Sequence, residues 1–140
     1  MNRRDFIRTV SGGLLAATLP GAASALSPQP LSPALYRALQ NGDRVSMLLC
    51  WSEWSLTCGF QRDQIAALLA ERPDYADRID FVHVDYDTYG KSRLLQGLKL
   101  ERRSTLIALR GKRELDRVVA ETRPERIRAL LDTALDASAA

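Results

Sequence analysis

The sequence predicts an α/β domain in which a mixed β-sheet lies between layers of helices, an α/β/α sandwich. Three observations carry that expectation. Apolar runs of strand length alternate with helical patterns as far as Asp85, the arrangement of a strand–helix–strand unit with a parallel pair. A glycine-containing turn, Arg110-Gly111-Lys112-Arg113, then separates two further strand-like runs, which makes an antiparallel hairpin. Finally, a helical pattern with one clean apolar stripe closes the chain. Size and composition agree: 140 residues, 46% apolar and 26% charged, suit a single folded domain and argue against a disordered chain. Two cysteines and one histidine are too few for a disulfide-stapled mini-fold or a structural zinc site.

Residues 1–25 stand apart from this pattern. Arg3, Arg4 and Arg8 give a basic start, Val10 to Leu19 is mildly apolar, and Ala23-Ser24-Ala25 supplies a small–x–small cleavage pattern. Together they read as an export signal. The run Asn2-Arg3-Arg4-Asp5-Phe6-Ile7-Arg8 resembles a twin-arginine translocation (Tat) signal, with Arg3, Arg4 and Phe6 as the residues that carry the likeness. An ordinary signal with two adjacent arginines, or an uncleaved anchor, are the alternatives. The resemblance implies a periplasmic destination, the Tat translocase as a partner during export, and no stable membrane span after cleavage. Residues 1–25 carry three arginines and one aspartate, so their removal lowers the net charge from +3 to +1. Nucleic acid is therefore not expected as a partner.

Residues 26–33 form a proline-rich lead, expected to be extended and mobile, and residues 34–140 form the domain. Ser32 is placed to cap a short helix that has Pro33 at its first position and stops near Gly42. Val45–Trp51 is apolar except for Ser46 and should be a buried strand. From Thr57 to Arg72 the pattern is helical, with Phe60, Ile65, Leu68 and Leu69 on the buried face and Pro73 ending it. Ile79–Asp85 is a second strand, and Ser92–Leu98 a short helix with Leu94, Leu95 and Leu98 inward. Thr105–Leu109 and Glu114–Ala120 are the hairpin strands. Thr122-Arg-Pro-Glu125 reads as a capping box for a last helix that buries Ile127, Leu130, Leu131, Ala134 and Leu135.

Trp51-Ser-Glu-Trp54-Ser55-Leu-Thr-Cys58, between strand and long helix, resembles the Trp-Ala-x-Trp-Cys-Gly-Pro-Cys segment of the thioredoxin family. Phe81-Val-His-Val-Asp85-Tyr-Asp87 and the Arg103-Ser104-Thr105 strand start are similar to further family segments, so the likeness spans about residues 32–136. It implies a thioredoxin-like fold with a mixed central sheet. Three departures bear on activity. Ser55 stands where the family has the attacking cysteine, Leu49 where it has a buried aspartate, and Ser104 where it has a cis-proline. A serine hydroxyl with no adjacent base is not made nucleophilic by a helix end alone. The Arg103–Ser104 bond is expected to be trans, because a cis bond before a non-proline residue costs about 2.5–4 kcal/mol.

Two readings of Cys58 remain. It is an inert core thiol, or a monothiol that forms mixed disulfides, with Ser55 marking the position of the missing cysteine. Cys50, next to Leu49 on a strand, should face the other side of the sheet, which disfavours a Cys50–Cys58 disulfide. His83 is either a partly buried structural residue or a partner that lowers the Cys58 pKa. Acids prevail in residues 71–90, six against two bases, and bases in residues 91–128, twelve against five acids. A binding role would use the rim formed by Trp54, Arg102, Arg103, Ser104 and Thr105, with an extended peptide pairing at the Thr105 backbone. The leading expectation is an exported thioredoxin-like protein without dithiol chemistry, a protein-binding or chaperone-type module that needs no cofactor or metal. The alternative is thiol–disulfide exchange by Cys58 alone.

Overall fold

The computed structural model describes residues 26–139, so the export signal expected at residues 1–25, with Arg3, Arg4 and Phe6, lies outside the described residues. In chain order the elements are β1 (Gln29–Pro30), α1 (Pro33–Asn41), β2 (Val45–Trp51), α2 (Leu56–Glu71), α3 (Asp74–Arg78), β3 (Ile79–Asp85) and α4 (Tyr86–Tyr89). A 3-10 helix (Arg93–Leu98), β4 (Thr105–Arg110), β5 (Arg113–Val119) and α5 (Pro124–Ser138) follow. The five strands form one sheet in the order β1-β3-β2-β4-β5. β3 runs parallel to both β1 and β2, and β4 is antiparallel to β2 and β5.

β2 is buried along all seven residues because it has a strand on each side and helices over each face. Its alternate side chains feed two cores. Met47, Leu49 and Trp51 pack with Cys58, Ile65 and Leu69 of α2 and with Ile127, Leu130 and Leu131 of α5. Leu48 and Cys50 pack on the other face with Tyr36 of α1, Val82, Val84, Leu95 and Ile107. This is a thioredoxin-like α/β fold with a mixed five-stranded sheet between helices.

Local signals act as their chemistry requires at several ends. Ser32 caps α1, its Oγ accepting from the Leu35 N–H at 3.1 Å, with Pro33 following. Gly111 turns the hairpin at φ 60°, a left-handed conformation that suits glycine, and a β-carbon there would come within 3.0 Å of the Gly42 carbonyl oxygen.

Four expectations need correction. The proline-rich lead is docked: Gln29 and Pro30 pair with Val82 and His83, and the buried Leu31 donates its N–H to the His83 carbonyl at 2.9 Å. This short, proline-blunted edge covers the part of β3 at Val82 and His83. Phe60 is exposed and Gln61 takes the buried position beside it. The Thr122–Glu125 capping box does not form, because α5 starts one residue later, with Arg123 at its cap and no side-chain bond there. The Glu121 carboxylate instead accepts from the Arg123 guanidinium and from the N–H groups of Arg123 and Thr122, and these bonds hold its pKa down to about 2. Lastly, residues 93–98 form a 3-10 helix in which only Leu95 is buried.

Candidate functional site

The loops after β2 and β3 and the loop before β4 meet at one end of the sheet, where parallel strands present their carboxyl ends and α2 begins. Ser55 caps α2 in an extended conformation, and its Oγ accepts from the Cys58 N–H at 3.3 Å. The Ser55 hydroxyl is thus committed to a helix end. One turn on, Cys58 points inward and is 0% exposed. Its Sγ accepts from the Ser52 N–H at 3.4 Å and lies 3.1 Å from the Ser104 Oγ.

Ser104 closes the site from the opposite side. No cis peptide bond occurs among the described residues, so Arg103–Ser104 is trans, and Ser104 adopts a left-handed φ of 65°. That conformation costs an L-residue about 1–2 kcal/mol. Four contacts offset it. The Ser104 N–H donates to the Cys50 carbonyl at 2.8 Å, and its own carbonyl accepts from the Ala120 N–H at 2.8 Å and from Gln61 Nε2 at 3.0 Å. The fourth is the contact between its hydroxyl and the Cys58 sulfur. Gln61 binds the assembly together: its Oε1 accepts from Trp51 Nε1 at 2.9 Å, and Nε2 also donates to the Glu121 carbonyl at 2.9 Å. Sequence reading missed Gln61. The available signal was its place between Cys58 and Ile65 at helical spacing, on the inward face.

The structure gives His83 and Thr105 surroundings other than those a site role needs, and it puts Cys50 on the sheet face expected for it. His83 lies across from Leu49 in the β2–β3 register, on the sheet face shared with Trp51. Its ring centroid is 6.2 Å from that of Trp51, and its buried Nε2 has no hydrogen-bond partner. No hydrogen bond joins it to Cys58, whose sulfur is met by Ser52 and Ser104 instead. Cys50 belongs to the opposite core, where burial pushes its thiol up to about 12, and both cysteines are free thiols. Thr105 is fully buried and paired on both sides, with Cys50 and with Val119. It therefore has no free backbone edge, and peptide pairing there is excluded. The Ser104 side chain is likewise sealed from the rim.

What faces solvent is an aromatic and basic rim. Trp54 is 64% exposed, Leu56 81% and Phe60 58%. Trp54 Nε1 donates to one oxygen of Asp87 at 3.1 Å, and Ser52 Oγ donates to the other at 3.0 Å. Arg103 Nε donates to Ser52 Oγ at 3.3 Å. Its guanidinium carbon stands 4.2 Å from the Trp54 ring centroid and 5.6 Å from that of Tyr86. Arg102, beside it, is exposed. Chemically, the site offers a buried thiol with no access and an exposed, fixed surface for contact. Among the described residues no cluster of His, Cys, Asp or Glu is placed to hold a metal ion.

No family model matches the chain, and no curated protein matches it. Solved structures do. Trxlp from Edwardsiella tarda EIB202 is 25% identical, with a TM-score of 0.63 over 74% of this chain and 98% of that one. The thioredoxin Mala s 13 of Malassezia sympodialis is 20% identical, with a TM-score of 0.65 over 78% and 91%. Thioredoxin from Trypanosoma brucei brucei is 18% identical, with a TM-score of 0.63 over 84% and 99%. These neighbours are thioredoxins or thioredoxin-like in fold, and they span nearly the whole described domain.

Proposed function

We propose that this thioredoxin-like chain is an exported binding or chaperone-type module in which dithiol exchange has been lost and the surface around the old site retained. The observation that supports this most is the fate of two positions: Ser55 is spent as a helix cap, and Cys58 is wholly buried. Disulfide exchange requires a thiolate that reaches a substrate sulfur and a second thiol that resolves the mixed disulfide. A serine hydroxyl does not ionise to a nucleophile here without a base, and Cys58 has no path to a substrate sulfur. The rim remains suited to contact, since Trp54 is exposed yet fixed by Asp87 and Arg103, which lowers the entropy lost on binding.

Thiol titration with an aromatic disulfide reagent tests this reading. The native full-length chain should react at neither cysteine and the denatured chain at both, and insulin disulfides should not be turned over. Rapid native labelling that disappears in Cys58→Ala, together with insulin turnover, would make monothiol exchange the function. Export is tested separately: changing Arg3 and Arg4 to Lys should hold the precursor in the cytoplasm, and undiminished export would remove the Tat reading.

A further inference from the structure

We propose that the rim recognises a protein segment with one apolar side chain and a single carboxylate, the carboxylate seating on Arg103 and the apolar group on Leu56 and Phe60 beside Trp54. This rests on the binding reading above. Arg103 is half-buried and held in place, by Ser52 at its Nε and by the rings of Trp54 and Tyr86. Its two terminal nitrogens have no hydrogen bond or ion pair among the described residues. Several arginines elsewhere on the molecule do find acids, Arg44 with Asp80, Arg117 with Glu114, Arg123 with Glu121 and Arg128 with Glu71, whereas Arg103 is held by a hydroxyl and two rings instead. A guanidinium fixed in orientation with its terminal fork unpaired is suited to a carboxylate, which it binds through two parallel hydrogen bonds.

The acids of the loop after β3 do not fill that role. Both oxygens of Asp87 accept from Ser52 and Trp54, and both oxygens of Asp85 accept within its own turn, from the Asp87 N–H and the Thr88 hydroxyl. They serve the loop, and Arg103 is left to a partner. Two residues after Trp54, Leu56 opens α2, and Phe60 lies one turn on, so the two share a helix face, and both are exposed. An exposed tryptophan stacked on an oriented arginine has the composition of an interface hot spot. Glu53 and Glu101 are also exposed, in the loops that carry Trp54 and Arg102. They disfavour a run of acids and so restrict the partner to one carboxylate within a few residues of its apolar anchor.

A library of random twelve-residue peptides displayed on phage, selected on the full-length chain, supplies the probes. Selected peptides are then synthesised, each beside a copy with its acid changed to the amide, and their affinities measured by calorimetry. The expected set shares one Asp or Glu close to an apolar residue. On the wild type the amide copy should bind at least about tenfold more weakly. On Arg103→Gln the acid and amide copies should bind alike, Arg103→Lys should fall between, and Trp54→Ala should weaken every peptide. Peptides that need Trp54 but are indifferent to the acid would overturn the carboxylate assignment and leave the binding reading standing. A preference for polyacidic or basic peptides would overturn it too. Failure to select any peptide sensitive to Trp54→Ala would overturn the binding reading itself, and this inference with it.

Discussion

Cys50 and Cys58 are buried to the same degree on two faces of one sheet, yet they occupy opposite kinds of surroundings. Cys50 sits among Leu48, Val82, Val84 and Ile107, and desolvation alone accounts for most of the upward shift of its thiol. Cys58 sits at the start of a helix, with a backbone N–H and a serine hydroxyl against its sulfur. One is an ordinary core thiol. The other has polar partners and is closed in by the left-handed Ser104, with Gln61 behind it. Equal burial therefore conceals two different thiol environments, which the partners of the sulfur distinguish.

Substitutions sharpen that contrast, and the largest effect is expected at the lid. Ser104→Pro should destabilise the protein by at least about 3 kcal/mol in urea unfolding. Proline requires φ near −65° in place of 65°, and it deletes the N–H bonded to Cys50. A variant of unchanged stability would mean that the loop relaxes freely and that the lid is no constraint. Gln61→Ala should cost about 2–4 kcal/mol, since it leaves a cavity and strips partners from Trp51 Nε1 and the Glu121 carbonyl. An effect below about 1 kcal/mol would show that these groups find other partners. The paired change is the direct comparison. Cys50→Ser should cost about 2 kcal/mol by burying a hydroxyl among apolar groups, and Cys58→Ser less than about 1, because Ser52 and Ser104 stand ready to bond the new oxygen. Equal losses would erase the distinction drawn above.

The smallest effect is the alkaline one. The Cys50 thiol is raised from 9.0 to about 12 in the folded protein, so its contribution is fully present below pH 9 and is lost as pH rises toward 12. Between pH 8 and pH 10 the wild type should lose about 1 kcal/mol more than Cys50→Val, as measured by denaturant midpoints at each pH. Parallel curves for the two proteins would contradict the apolar description of the Cys50 site.

Much of the fold was legible along the chain. The strands Val45–Trp51 and Ile79–Asp85 fall where their apolar runs place them, and the stripe from Ile127 to Leu135 is buried as its spacing requires. The turn at Gly111 and the cap at Ser32 are equally local. The rim and the lid were legible only in part. Apolar character placed Phe60 inside, yet α2 turns Gln61 inward because the Trp51 indole and two carbonyls from distant segments satisfy its amide. A shared sheet face left open a pairing of His83 with Cys58, but the Trp51 ring packs against the imidazole and serines meet the sulfur.

By itself the sequence determined what short-range sterics and hydrophobic periodicity dictate: the strands, the helices, their order, and the absence of a second cysteine one turn before Cys58. Only the tertiary structure decided that Thr105 has no free edge, that Ser104 takes a left-handed conformation over the sulfur, and that Arg103 stacks on Trp54 with its terminal fork unpaired. Each of these depends on groups about fifteen to sixty residues apart in the chain. Their contacts are set by which loops converge at one end of the sheet, and no local pattern encodes that convergence.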